Sequence, residues 1–279
     1  MRDCGRGAHV VEIATILIAM LMTGAVGGVL AGLLGVGGGI VIVPVLEAAL
    51  AIVGVDPSVR MHIAVATSLA TIIPTSISSA RAHYRRDAID FTVIRFWAPW
   101  ITLGAVVGVV ISANVSGDFL SAVFAVVAFT VAAKMMLPLD DTNLADDVPR
   151  GVFGLLIPVG IGSISTLMGI GGGTLSVTAM TLSSKPIHLA VGTSSLFGLV
   201  IAIPATAGYI LSGWGNSLLP AASAGYVNLV GFGVIATATV FFAPLGARIA
   251  HALPRRRLSA LFGVFLLIVG LRMAYRTLA

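Results

Sequence analysis

Apolar stretches recur along almost the whole chain, at roughly 10–34, 40–54, 63–80, 91–113, 119–138, 151–168, 174–183, 187–211, 223–245 and 258–275, with only brief connections between them. A helix needs ~20 such residues to cross a bilayer, and several stretches approach that length. Of 279 residues, 58% are hydrophobic and 10% charged. A soluble domain carries about a quarter charged residues, so an ordinary water-soluble globule is excluded. The 33 glycines and 12 prolines are too many for a plain soluble bundle but suit membrane-spanning helices. The chain is read as a polytopic membrane protein, in contact with a lipid bilayer and not with nucleic acid. Its formal charge of +5 comes from basic residues in short loops, where they act as topology signals. Cys4 is the only cysteine, which excludes an internal disulfide and a cysteine metal cluster. Arg2 and Arg6 precede an apolar run as in a secretory signal. An equivalent segment recurs at 151–168, so the first run is read as retained.

The chain also repeats itself. Gly35-Val36-Gly37-Gly38-Gly39 returns 134 residues later as Gly169-Ile170-Gly171-Gly172-Gly173. His62-Ile63-Ala64-Val65-Ala66-Thr67-Ser68 returns as His188-Leu189-Ala190-Val191-Gly192-Thr193-Ser194, and Pro74 and Pro204 follow in turn. Leu103-Gly104-Ala105 matches Leu245-Gly246-Ala247, and Leu120 to Phe124 matches Leu258 to Phe262. The order is kept throughout, which points to a duplicated half: repeat one at about 10–139 and repeat two at about 150–276, within one transmembrane domain.

Charge relates the halves. Arg81, Arg85 and Arg86 lie in a loop whose counterpart near 212–222 has no charge, whereas Arg248 and Arg255 to Arg257 face the uncharged-to-acidic Asn114 to Asp118. If positive loops face the cytoplasm, equivalent loops lie on opposite sides, which requires an odd number of crossings per half. The predicted fold is therefore all-α, with about ten transmembrane segments in two inverted five-segment repeats. This places both termini outside and the linker bearing Asp140, Asp141, Asp146 and Asp147 inside; Arg2, Arg6, Arg272 and Arg276 count against it. Inverted repeats are a recurrent architecture of secondary transporters, with the substrate near the midplane where broken helices meet.

The stretches 40–54 and 174–183 are short, and each follows a glycine cluster, as expected of broken or re-entrant helices. Irregular backbone at membrane depth is tolerated only where protein or water surrounds it, and a helix starting there aims free N–H groups at the cluster. Gly37, Gly38, Gly39, Gly171, Gly172 and Gly173 are therefore candidate substrate-binding positions for an anion. Small residues four apart, such as Gly24 and Gly28 or Gly104 and Gly108, are read instead as helix-packing contacts. Neither cluster has the Lys-Ser/Thr of a phosphate loop, so nucleotide binding is not expected.

Thr67, Ser68, Thr193, Ser194 and Ser195 are the candidate ligand hydroxyls, since they donate hydrogen bonds without charge; the competing use is bonding back to their own helix carbonyls. His62 and His188 correspond and titrate near neutral pH. At about 100° per residue, Thr67 lies ~140° and Ser68 ~120° the other way around a straight helix from His62, so the histidines are placed at helix entrances, as gates or proton carriers. Arg60 and Lys185 are placed beside them, drawing anions to the mouths or simply solvated. Arg95, Lys134 and Arg272 are expected to snorkel to the surface. Glu47, in the first short stretch, would be costly to ionise there; it either carries a proton or reaches a helix end. No nucleophile motif and no metal-ligand spacing is present, so neither catalytic residues nor a cofactor are expected.

The paired Gly-x-Gly-Gly-Gly segments, with Pro44 after the first, and the paired His-x-Ala-Val-x-Thr-Ser segments resemble the TauE/SafE family, also called the toluene-sulfonate uptake permeases. The resemblance runs from about residue 12 to 275. It implies a bacterial inner-membrane transporter of small sulfur-containing anions, sulfite or organosulfonates such as sulfoacetate, with or without a coupled proton. It also implies a translocation site at Gly37 to Gly39, Thr67, Ser68, Gly171 to Gly173, Thr193 and Ser194. Members often carry proline after each glycine segment; here Thr178 stands opposite Pro44. The alternatives are a small-anion channel on the same repeat, or a membrane enzyme or assembly subunit.

Overall fold

The computed structural model describes residues 20–22, 24–29, 38–136, 151–250 and 255–278. Gly37, Cys4, Arg2, Arg6 and the acidic linker at 140–147 lie outside them. Helical residues within Met20–Val29 form α1. There follow α2 (Gly39–Ile52), α3 (Pro57–Tyr84), α4 (Phe91–Ser112), α5 (Gly117–Met136), α6 (Val152–Met168), α7 (Gly173–Leu182), α8 (Ile187–Ser212), α9 (Leu229–Ala250) and α10 (Arg255–Leu278).

The helices begin where local chemistry allows. Asp56 accepts the Ser58 amide at 2.9 Å and Pro57 opens α3, where its missing N–H costs nothing. Asp90 accepts the amides of Thr92 and Val93 at 2.9 and 3.1 Å and caps α4. Pro44, Pro74, Pro99, Pro158 and Pro204 lie inside helices, where each removes a donor from the ladder. Pro74 and Pro204 do so at corresponding places in α3 and α8.

Among the described residues, four helical stretches are long and apolar enough to cross a membrane: Pro57–Tyr84, Phe91–Ser112, Gly117–Lys134 and Ile187–Ser212. As the sequence leads one to expect of the stretches 40–54 and 174–183, α2 and α7 are short, with only 14 and 10 residues. The structure is also not wholly helical. A two-stranded antiparallel hairpin, β1 (Ser223–Ala224) and β2 (Val227–Asn228), pairs Ser223 with Asn228 and Ala224 with Val227. The sequence placed an apolar stretch from 223, but Gly225 turns back at φ 53, and α9 starts only at Leu229.

At the centre, α3 packs against α2, α5, α8 and α9, while α4 lies against α6 and α8 and α10 against α5. Met61, Ile63, Val65, Leu69 and Ile72 of α3 are completely buried. Outward faces stay apolar, as with Leu103, Val106 and Val110 of α4, which suits lipid. The four-apart glycines do pack helices. Gly104 lies on the Val159 carbonyl and Gly162 on that of Ile101, with Ser163 Oγ donating to the Gly104 carbonyl at 2.9 Å. Gly24 and Gly28 of α1 rest on Ala238 and Thr239 of α9 in the same manner.

Candidate functional site

Both short helices start from the same unusual backbone. Gly38, before α2, has φ 74 and ψ −9; Gly172, before α7, has φ 68 and ψ −6. Side chains rarely adopt this left-handed region, so glycine is the residue that fits. In the second half the preceding helix is described as well. It closes at Gly169, φ 70, whose amide and that of Ile170 bond back to the carbonyls of Thr166 and Ser165 at 3.3 and 2.9 Å. The α6–α7 segment is thus a helix broken at the glycine cluster.

The two clusters meet. A Cβ on Gly39 would collide with the Gly169 carbonyl and come within 3.1 Å of the Ile170 Cα. Ser68 of α3 donates from Oγ to that same Gly169 carbonyl at 2.7 Å. Gly171 is held between α3 and α8, where a Cβ would stand 2.9 Å from Ile72 and 3.2 Å from the Gly198 Cα. Gly173 is buried as the first residue of α7.

The threonines of the repeated motif face helix starts. Thr67 Oγ1 accepts the Asn228 amide at 2.9 Å, and Thr193 Oγ1 accepts the Asp90 amide at 2.9 Å. Asp90 and Asn228 directly precede α4 and α9; Asn228 Oδ1 also accepts the Gly231 amide at 2.7 Å. Each threonine therefore holds the beginning of a helix from the other half of the chain. Sequence reasoning missed this pair. Its signal was available, because Asp90 and Asn228 are 138 residues apart, the spacing that also relates Lys134 to Arg272. The serines are used differently: Ser194 Oγ donates to the Val191 carbonyl at 2.8 Å and Ser195 Oγ to that of Gly192 at 2.6 Å, both within α8.

The corresponding histidines sit in unlike surroundings. His62 is buried, with Nε2 3.1 Å from the Ser112 carbonyl and its ring stacked on Tyr226 of the hairpin at 5.1 Å. Tyr226 meets Tyr209 edge-on, and Tyr209 donates to the Thr166 carbonyl at 3.4 Å, so an aromatic chain joins His62 to the end of α6. His188 is exposed at the start of α8. Nearby, Lys185 Nζ lies 3.5 Å from Asp90.

Glu47 is 3% exposed. Arg60 Nη1 lies 4.0 Å and Arg272 Nη2 3.7 Å from its carboxylate. Arg60, read as an anion guide or a solvated charge, turns to this carboxylate, and Arg272, expected to snorkel, reaches it with its side chain half exposed; an isolated buried carboxylate would be costly in a membrane protein. Among the described residues no group of three or more His, Cys, Asp or Glu is placed to hold a metal ion.

Apolar spans packed around two short helices that start from abutting glycine segments define a polytopic membrane protein. The chain belongs to the TauE/SafE family: the signature described as "Sulfite exporter TauE/SafE" matches residues 20–273. It is 34% identical over 259 residues to a "Probable membrane transporter protein" of Haemophilus influenzae, covering 93% of this chain and 98% of that one. It is 24% identical over 277 residues to "Probable membrane transporter protein YunE" of Bacillus subtilis, covering 92% and 97%. No solved structure matches it.

Proposed function

We propose that this chain is a secondary transporter of a small sulfur-containing anion, sulfite or an organosulfonate such as sulfoacetate, working by alternating access in a bacterial inner membrane. The observation that carries the reading is the junction where Gly39 abuts Gly169 under the Ser68 hydroxyl. Helix α2 starts at this junction and α7 starts four residues beyond Gly169; in a dry interior the free amides and positive dipole end of such a helix start favour an anion. A sulfonate has three acceptor oxygens, suited to amides and hydroxyls.

Gly37 to Gly39, Thr67, Ser68, Gly171 to Gly173 and Thr193 to Ser195 remain the proposed translocation residues. The ten segments are read as two inverted repeats rocking about this junction. Reciprocal Thr67–Asn228 and Thr193–Asp90 contacts support that reading, as does the unlike burial of His62 and His188, one covered and one open. His62, His188 and Glu47 are the groups through which a proton would couple.

The test is uptake of labelled sulfite and sulfoacetate into liposomes holding the purified protein, with and without a pH gradient, and with chloride and sulfate as competitors. Saturable, gradient-dependent flux is expected. Conductance without saturation would replace the carrier with a channel, and no flux of either sulfur anion would remove the substrate class.

A further inference from the structure

The two short helices begin alike, yet their surroundings differ sharply. Around Gly172, Ser165 and Ser176 are completely buried, and neither hydroxyl has a hydrogen-bond partner. Both face one point: a Cβ on Gly172 would stand 3.5 Å from Ser165 Oγ and 3.7 Å from Ser176 Oγ. The hydroxyl of Thr174, in the first turn of α7, is likewise buried and unpartnered. Two buried donors beside the first amides of a ten-residue helix form a polar cradle with nothing to bind from the protein itself. A buried hydroxyl without a partner is costly, so a ligand that accepts from both would recover that cost.

The first half has a matching helix start but lacks these hydroxyls. At the positions 134 residues earlier the sequence has Ala31 for Ser165, Ile40 for Thr174 and Ile42 for Ser176. Ile40 and Ile42 are packed into the core. The Gly27 carbonyl oxygen stands 2.7 Å from where a Cβ on Gly38 would lie, whereas the polar atoms at the same place beside Gly172 are the two serine hydroxyls.

We infer that one small oxyanion binds at the start of α7, on Ser165, Ser176 and the first amides of that helix, with no twin at α2. This rests on the transport reading above and gives its site a location off the pseudo-symmetric centre. The ligand class is a pyramidal or tetrahedral sulfur oxyanion, whose several oxygens accept from hydroxyls and amides together. The tip of Ile201 now fills the space beside Gly172, and its rotation admits the ligand.

The experiment measures equilibrium binding of labelled sulfite to the purified full chain, with sulfoacetate and sulfate as competitors, alongside thermal melts without anion. Ser165→Ala and Ser176→Ala are each expected to weaken sulfite binding about tenfold while melting no lower than the parent. Ser183→Ala, at the far end of α7, leaves affinity unchanged, and Ile201→Val raises it. The inference is overturned if the double serine variant binds within about twofold of the parent, or if it melts several degrees lower without anion, which would make the hydroxyls structural. In the first case, sulfite flux by the parent protein would leave the transport reading standing. A parent that neither binds nor moves any of the three anions removes both.

Discussion

Thr67 accepts the backbone N–H of Asn228 at 2.9 Å across 161 residues of chain, both partners being buried. The Thr193–Asp90 bond reproduces it with the halves exchanged. Thr67→Val keeps the shape and leaves the amide without an acceptor, a loss of about 1–3 kcal/mol. Thr193→Val is expected to cost a similar amount, and Thr→Ser at either place to recover most of it. Denaturation of the four variants in detergent checks this; an unchanged midpoint for both valine variants would show that neither bond supports the fold.

At the glycine junction, a single methyl distinguishes two kinds of position. Gly39→Ala drives a Cβ into the Gly169 carbonyl, and overpacking of this sort costs about 1–3 kcal/mol or more; transport is expected to fall at least tenfold. Gly160→Ala, in α6, meets nothing within 4 Å and is expected to stabilise by up to about 1 kcal/mol through helix propensity. Flux and melting of the two proteins side by side measure the contrast.

Ser68 and Ser194 correspond in sequence but spend their hydroxyls differently, one on the Gly169 carbonyl and one on its own helix. Ser68→Ala is therefore expected to reduce transport more than Ser194→Ala, with expression kept in both. Equal rates for the two variants would remove the cross-half bond from the working site.

Glu47 holds Arg60 and Arg272 from two other helices. Glu47→Gln removes the charged partner that Arg60 and Arg272 share. The expected loss is about 1–3 kcal/mol, less than for a wholly enclosed pair because Arg272 is half exposed. Restoring part of that stability with Arg60→Met on the same background would confirm the pair, and additive losses would refute it.

Tyr226 covers His62, while His188 stands open. An imidazole-acylating reagent is expected to modify His188 quickly and His62 slowly, and Tyr226→Ala to speed the second reaction. Peptide mapping by mass spectrometry reads both sites; equal rates in the parent protein would mean the hairpin does not shield His62.

Much was legible in the sequence because it is local. Apolar runs must become helices in hydrocarbon, and the glycine clusters, Gly38 with Gly39 and Gly169 with Gly171 to Gly173, must break them or start them anew. Gly24, Gly28, Gly104 and Gly108 could be assigned to packing because small residues on one helix face serve little else in a membrane bundle. The matched motifs were also visible, since they need only a constant order along the chain. The partner of each hydroxyl and each charge could not be read in this way. Thr67, Thr193, Ser68 and Ser194 are nearly interchangeable in their motifs. One pair nevertheless receives amides from distant helix starts, one serine crosses to Gly169, and the other turns back on α8. Arg60 converges on Glu47 because α3 packs against α2, Arg272 reaches the same carboxylate from α10, and Ser165 and Ser176 face one point only because α6 breaks and restarts. Those choices depend on which backbone group arrives within about 3 Å of a side chain. Distance of that kind is set by how the helices pack, and not by the order of residues along any one of them.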